Sequence, residues 1–254
     1  MTGVAAPPAI GIHGATKRFG GVLALDDVSL DVRRGEVLAV LGDNGAGKST
    51  LIKCLSGVHR LDAGTIEMDG RPVTIHSPGE ARALGIETVY QDLALFDNLP
   101  PAANFYAGRE LAWPRWLPRG MRILRGGSMT AATSDLLDRL QVRLPDADVT
   151  VGLMSGGQRQ AVAVARAAAF ASNVVILDEP TAALGLRESR RVLDLIIRLR
   201  TENHAVVVIS HALDHVIEVA DRAVVMRRGR VVGEEIPTRD NQQRIVSLIV
   251  GGAG

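Results

Sequence analysis

The stretch Gly42-Asp43-Asn44-Gly45-Ala46-Gly47-Lys48-Ser49-Thr50 constrains this chain more than any other. It has the spacing G-x-x-x-x-G-K-[ST], that of a loop whose backbone amides cradle phosphate groups. Val37 to Leu41 precedes it, a short apolar run rich in branched residues, as a buried strand is. Leu51 to Leu55 follows at helical spacing. Glycines let the backbone approach a phosphate with no Cβ in the way. Successive N–H groups then point inward at the positive end of the following helix. Lys48 would bring a point charge to the β- and γ-phosphates, and the Ser49 hydroxyl would hold Mg²⁺. An ordinary glycine-rich strand-to-helix turn is the competing reading; strand, loop and helix in this order favour the phosphate loop.

The chain of 254 residues is long enough for one sizeable core, or for one domain with an inserted lobe. A formal net charge of +1, with no Lys/Arg cluster laid out along a face, gives no reason to expect nucleic acid. The single cysteine, Cys54, excludes an internal disulfide, fits a reducing compartment and reads as a small core residue on an apolar helix face. No apolar run reaches the roughly 18 residues of a membrane helix; Ala161 to Ala171 comes closest and Arg166 interrupts it. Residues 1–9 are Ala/Pro-rich without a basic start, a loose terminus rather than a signal peptide. The expectation is a soluble, cytoplasmic protein that meets a membrane through a partner.

Ile10 to Leu30 predicts two short strands around Phe19-Gly20-Gly21, and turn signals flank a third at Thr65 to Met68. Helix 79–84 and strand 86–90 lead to Gln91. Residues 98–128 then change texture, with Pro100, Pro101, Pro114, Pro118 and both tryptophans. Helical patterns return at Ala131 to Leu140 and Gly157 to Ala171. Strands at Val174 to Leu177 and Ala205 to Ile209 enclose a helix at Arg187 to Arg200. A short helix at 212–219, a hairpin around Gly229 and an amphipathic helix at 238–250 close the chain. Strands alternating with helices predict an α/β core of 10–91 and 166–236, with 92–165 a mostly helical insertion.

Three further clusters could carry chemistry. Val174 to Leu177 delivers Asp178 and Glu179 at the carboxyl end of a buried strand, where nucleotide sites of open α/β sheets lie. Asp178 would hold Mg²⁺ through a water; Glu179 would orient or deprotonate the attacking water. An acidic surface turn is the plainer alternative, weakened by the phosphate loop upstream. Ser155-Gly156-Gly157-Gln158 opens the Ala-rich helix with a good N-cap and amides free for an anion, or is simply a loop. His211 and Gln91 stand at strand ends and Phe19 near the N-terminus; each alone is more often structural.

Taken in order, Phe19, the loop 42–50, Gln91, Ser155 to Gln158, Asp178-Glu179 and His211 resemble the nucleotide-binding subunit of an ABC transporter, over about residues 10–250. The resemblance implies a P-loop NTPase core with an N-terminal antiparallel β subdomain and an inserted helical subdomain. It implies that Phe19 stacks on adenine and that Gly42 to Thr50 wraps the phosphates of ATP. Gln91 would sense the γ-phosphate and Mg²⁺ and link to the membrane subunit. Asp178 would assist Mg²⁺, Glu179 act as base, and His211 contact the γ-phosphate as a switch. Ser155 and Gly157 would touch the γ-phosphate bound by an opposite subunit, which supplies the missing anion and implies a homodimer around two ATP molecules. Transmembrane permease subunits, and through them a solute-binding protein, would be partners, with this chain peripheral on the cytoplasmic face.

A narrower resemblance lies in Val89 to Leu95, Ala161 to Ala167 and Asp178 to Gly185, which are similar to the monosaccharide-import branch. One phosphate loop and one Ser-Gly-Gly motif match its single-cassette members. Two positions depart from the wider pattern. Met154 replaces the usual leucine before Ser155, a volume-conserving swap; Gly185 stands where many cassettes carry an aspartate that crosses the dimer interface. Trp113-Pro114-Arg115-Trp116 lies in the lobe that touches the membrane subunit in this family, and reads equally as an interface or a Pro-braced loop. The runner-up is an importer of another small solute, an amino acid or a signalling molecule. A soluble ABC ATPase of translation or DNA maintenance lacks support in a chain without sustained heptads or basic surfaces. A small-molecule kinase leaves Ser155 to Gln158 and His211 without purpose.

Overall fold

The computed structural model describes residues 6–114, 116, 123–144 and 148–251. Arg115, Pro118 and residues 1–5 of the terminal stretch lie outside the described residues.

The chain opens with an antiparallel sheet in the order β2 (Val22–Val32), β1 (Ile10–Phe19), β4 (Ala63–Met68) and β5 (Arg71–Val73). β1 and β2 have 10 and 11 residues, longer than the short strands expected. Register shifts near Ala15 and Lys17 carry the ladder past irregular positions, and bulges of this kind let a strand continue where strict alternation fails.

The central sheet has six strands in the order β12 (Arg230–Glu235), β11 (Arg222–Arg227), β3 (Val37–Leu41), β10 (Ala205–Ile209), β9 (Val174–Asp178) and β6 (Ile86–Val89). Five strands run parallel and β12 closes the edge antiparallel to β11. Buried on both faces, β3, β9 and β10 read as unbroken apolar runs. Their alternation sorts two cores: Val174, Ile176, Val207 and Ile209 face the antiparallel sheet, while Val175, Leu177, Val206 and Val208 face the helices on the other side.

Helix α1 (Lys48–Leu55) lies in the first core, where Leu51, Ile52, Cys54 and Leu55 are buried. Helix α2 (Pro78–Ala83) starts from Ser77, whose hydroxyl accepts the Glu80 amide. In the second core, α5 (Gly156–Phe170) and α6 (Leu186–Thr201) cover the sheet, joined by α3 (Pro101–Tyr106) and α4 (Gly126–Arg139). α7 (Leu213–Val219) and α8 (Gln242–Val250) pack on β3 and β11. The last helix starts four residues later than expected, because Asn241 turns back to bond the Thr238 carbonyl. Within 92–165 the chain also forms a two-residue hairpin, β7 (Ala112–Trp113) with β8 (Ile123–Leu124), which no sequence signal marked. Among the described residues no helix is long and apolar enough to cross a membrane.

Candidate functional site

β3, β9 and β10 lie side by side and parallel, so their carboxyl ends converge on one edge of the sheet. The loop 42–47 leaves β3 at that edge. Gly42 has φ +149°, and a Cβ there would lie 2.2 Å from the Met226 carbonyl oxygen, so no side chain fits. Gly45 has φ +80° but faces open space, with no atom within 4 Å of where its Cβ would be. One glycine is required by packing; the other leaves a clear approach to the backbone.

Asp43 shapes the turn: its carboxylate accepts the Asn44 amide at 2.7 Å and its carbonyl accepts Ala46 N–H at 3.1 Å. Gly229 donates to the Ala46 carbonyl at 3.0 Å, pinning the loop to the β11–β12 turn. Among the described residues, the N–H groups of Gly45, Gly47, Lys48, Ser49 and Thr50 take no acceptor. A row of unpartnered amides at a helix N-terminus is the donor set a phosphate needs. Lys48 Nζ donates to the Gly42 carbonyl at 2.7 Å and the Asp43 carbonyl at 3.0 Å, which holds the ammonium across the loop mouth.

β9 brings Asp178 and Glu179 to the same edge. Burial pushes the Asp178 carboxyl above its ordinary range, the negative charge of Glu179 adds to this, and Lys48 and Lys53 oppose it. Glu179 takes φ +51°, a left-handed conformation rare outside glycine, while its N–H donates to the Ile209 carbonyl at 2.9 Å. This turn sets Glu179 Oε2 2.9 Å from His211 Nδ1. Glu179 is 16 % exposed and His211 74 %, so the pair spans the site floor and its open face.

Gln91 follows β6 as Glu179 follows β9; Val89 and Leu177 are register partners, so both residues stand two positions beyond a paired row. Gln91 is exposed. Phe19, 43 % exposed at the tip of the β1–β2 hairpin, packs edge-on to His59 at 5.1 Å with Lys17 Nζ 5.5 Å from its ring centre. Ser155 caps α5 reciprocally: its hydroxyl accepts Gln158 N–H and its own N–H donates to Gln158 Oε1 at 2.9 Å. Gly156 and Gly157 face Leu184 and Glu188, so this helix start packs on α6. Met154 is buried in the helical core, and Gly185 N–H donates to Glu188 Oε2 at 3.1 Å.

A cavity of about 550 Å³ lies away from the phosphate loop, between β6 and the helices, with Glu87, Tyr90, Asn104, Arg109, Arg166 and Phe170 on its walls. Two of these escaped sequence reasoning. Asn104, fully buried, accepts Phe96 N–H and donates to three carbonyls of the loop 96–100. Arg166 bonds the carbonyls of Leu93 and Ala94. The one available signal was a lone charge in the Ala-rich run 161–171.

ATP and Mg²⁺ fit these residues. The unpartnered amides suit phosphate oxygens, and the Ser49 hydroxyl and the Asp178 carboxylate offer hard oxygen ligands. Among the described residues, no cluster of three or more His, Cys, Asp or Glu forms a metal cage.

Comparison with known proteins agrees with this geometry. Residues 25–182 match the profile of the ABC transporter family. The chain is 44 % identical over 242 residues to a xylose/arabinose import ATP-binding protein of Sulfolobus acidocaldarius, covering 95 % of this chain and 94 % of that one. It is 49 % identical over 228 residues to a fructose import ATP-binding protein of Rhizobium meliloti, covering 89 % and 88 %. Its backbone is similar to the crystal structure of an ABC transporter ATP-binding cassette in its ADP conformation, with a TM-score of 0.81, 25 % identity, and 96 % and 99 % of the two chains covered. From the phosphate loop to the sheet order, this chain belongs to the ABC transporter family.

Proposed function

We propose that this chain is the ATP-hydrolysing subunit of a membrane importer whose cargo is a monosaccharide. The observation that carries the hydrolytic part is Glu179, held 2.9 Å from His211 at the same sheet edge as the open phosphate loop. Similarity along nearly the whole chain to import proteins named for xylose, arabinose and fructose supports the cargo class.

The loop amides of Gly45 and of Gly47 to Thr50 hold the β- and γ-phosphates, and Lys48 turns its ammonium from the loop carbonyls toward them. Phe19 stacks on adenine. Ser49, Gln91 and Asp178 would hold Mg²⁺, which would supply positive charge to the phosphate oxygens. Glu179 orients a water in line with the γ-phosphorus and takes its proton as the P–O bond to the β–γ bridging oxygen breaks. ADP and phosphate are the products. His211 leaves Glu179 to contact the γ-phosphate.

Ser155 and Gly157 lie on the start of α5, packed on α6, and we assign them to the ATP of a second copy. Two chains then enclose two nucleotides, and ATP shifts the population toward the closed pair because it binds that state better. A permease reads the closure, and a solute-binding protein delivers the cargo. We further propose one ATPase domain over 10–254, with 92–165 as its inserted lobe; α5 crosses residue 165 unbroken and so ties lobe to core.

The test is phosphate release by the complex of this chain with its permease, in lipid, with solute-binding protein present. Stimulation by xylose, ribose or fructose is expected. Stimulation by amino acids alone would move the cargo to another class, and no hydrolysis in the wild type would overturn the reading.

A further inference from the structure

Arg166 is the only charged residue in the run Ala161 to Ala171, on a helix otherwise built to bury small apolar side chains. Its Nη1 donates to the Ala94 carbonyl at 2.9 Å and its Nη2 to the Leu93 carbonyl at 3.1 Å. Those carbonyls follow Gln91 by three and two residues. Ala94 takes φ +49°, so the loop is held in a backbone shape that a non-glycine residue adopts only under constraint.

The guanidinium sits on the wall of the large cavity, partly out of water. Burial draws its pKa down; Arg109 and Arg82 act the same way and Glu87 opposes them. The Glu87 carboxylate is itself paired with Arg109, whose guanidinium lies over Phe170. Among the described residues Arg166 has no carboxylate partner. A partly buried cation held by neutral carbonyls is an expensive way to pin a helix to a loop. A methionine of similar reach would fill the space without that cost.

The same loop is fastened further on. Val151 N–H donates to the Leu99 carbonyl at 3.0 Å and Gly152 N–H to the Asp97 carbonyl at 2.8 Å. Val151 and Gly152 lie just before Ser155. The segment 93–99 is therefore bound to α5 near its start and again at Arg166. Gln91 and Asp92 are left as the span between β6 and this clamp.

We propose that Arg166 is a positioning residue for Gln91, coupling the loop that carries it to the helix whose other end presents Ser155 and Gly157. The proposal rests on the reading of Gln91 as a contact to the γ-phosphate and Mg²⁺. Ser155 and Arg166 are eleven residues apart, about 16 Å along a helix at 1.5 Å per residue. A tilt of α5 on engaging the nucleotide of a second copy would move the Arg166 end, and the two carbonyls would carry Gln91 with it. One helix then links the two nucleotide sites of the dimer.

A double-mutant cycle in steady-state ATP hydrolysis tests this, using Arg166→Met, Gln91→Ala and the double variant. Arg166→Met is expected to lower kcat roughly 10- to 100-fold, the scale of a misplaced catalytic contact, with KM for Mg-ATP within about twofold. The double variant should be no slower than Gln91→Ala alone, because the two residues act as a unit. Arg166→Lys should recover part of the rate, since an ammonium reaches one carbonyl. Losses that add in the cycle, or a wild-type kcat in Arg166→Met, would overturn the proposal; a purely structural role predicts a lower Tm with additive losses. Should the Met variant not fold, Arg166→Lys must show both a lowered kcat and faster hydrogen exchange at residues 92–96, and wild-type behaviour in either would overturn it. Glu179→Gln runs alongside: if it hydrolyses ATP normally, the site reading itself fails, whereas an inactive Glu179→Gln beside an additive cycle removes only the role of Arg166.

Discussion

Glu179 and His211 are bonded to each other, Oε2 to Nδ1 at 2.9 Å, across the carboxyl ends of β9 and β10. The left-handed turn at Glu179 and the bond from its N–H to the Ile209 carbonyl aim the carboxylate at the imidazole. A carboxylate so placed is oriented in the nucleotide-free protein, and the histidine that holds it is 74 % exposed.

Replacing Glu179 by Gln keeps the shape and removes the carboxylate proposed as the base. Hydrolysis should fall about 10²–10⁴-fold, the usual worth of a general base, while the Kd for ATP changes little. Fluorescent-nucleotide titration beside a phosphate-release assay separates the two. His211→Ala should also slow turnover, leaving Glu179 unaligned.

Asp178 carries a burial cost. Its folded carboxyl titrates above the ordinary range, so at neutral pH the charged form destabilises the nucleotide-free protein. Asp178→Asn should raise Tm at pH 7 and should abolish hydrolysis. The gain should shrink as pH falls through the raised value toward that of a free carboxyl, because wild-type Asp178 is then neutral in both states. Thermal unfolding from pH 7 to 4 measures it; a gain that grows in acid would contradict the assigned sign.

Adjacent glycines at the start of α5 should differ sharply. A Cβ on Gly157 would lie 2.6 Å and 2.7 Å from Cβ and Cγ of Glu188, atoms near the α6 backbone that cannot swing aside. Gly157→Ala should cost about 1–3 kcal/mol, the range for overpacking. A Cβ on Gly156 meets only Leu184 Cδ2, at 3.5 Å, so Gly156→Ala should unfold within about 0.5 kcal/mol of wild type. Urea unfolding of both variants decides this.

Cys54 was legible as core from its helix position, and it is 2 % exposed. Burial pushes its thiol to about 11. At pH 8 a disulfide reagent should leave the native protein unmodified and label one thiol in denaturant.

What the sequence made legible was local. The loop 42–50 is one contiguous pattern; β9 and β10 are apolar runs that end in polar residues; Ser155 and Gln158 form a cap within four residues. Longer-range features were hidden. The hairpin of Ala112–Trp113 with Ile123–Leu124 has two residues per strand, too few for any periodicity. Asn104 reads as a polar helix residue until Phe96, eight positions earlier, folds onto it. Arg166 meets Leu93 and Ala94 across more than 70 positions. The positive φ of Glu179 belongs to the contact between β9 and β10, and nothing in Asp-Glu-Pro announces it.

We propose that ATP is hydrolysed in a site shared by two copies of this chain. The most direct measurement is the solution mass of Glu179→Gln with and without Mg-ATP, by light scattering. A monomer that becomes a dimer when ATP is added is expected, with an ATP-bound Ser155→Arg, Glu179→Gln double variant that stays monomeric. A chain that binds ATP tightly and pairs equally well with Ser155→Arg in place would contradict it.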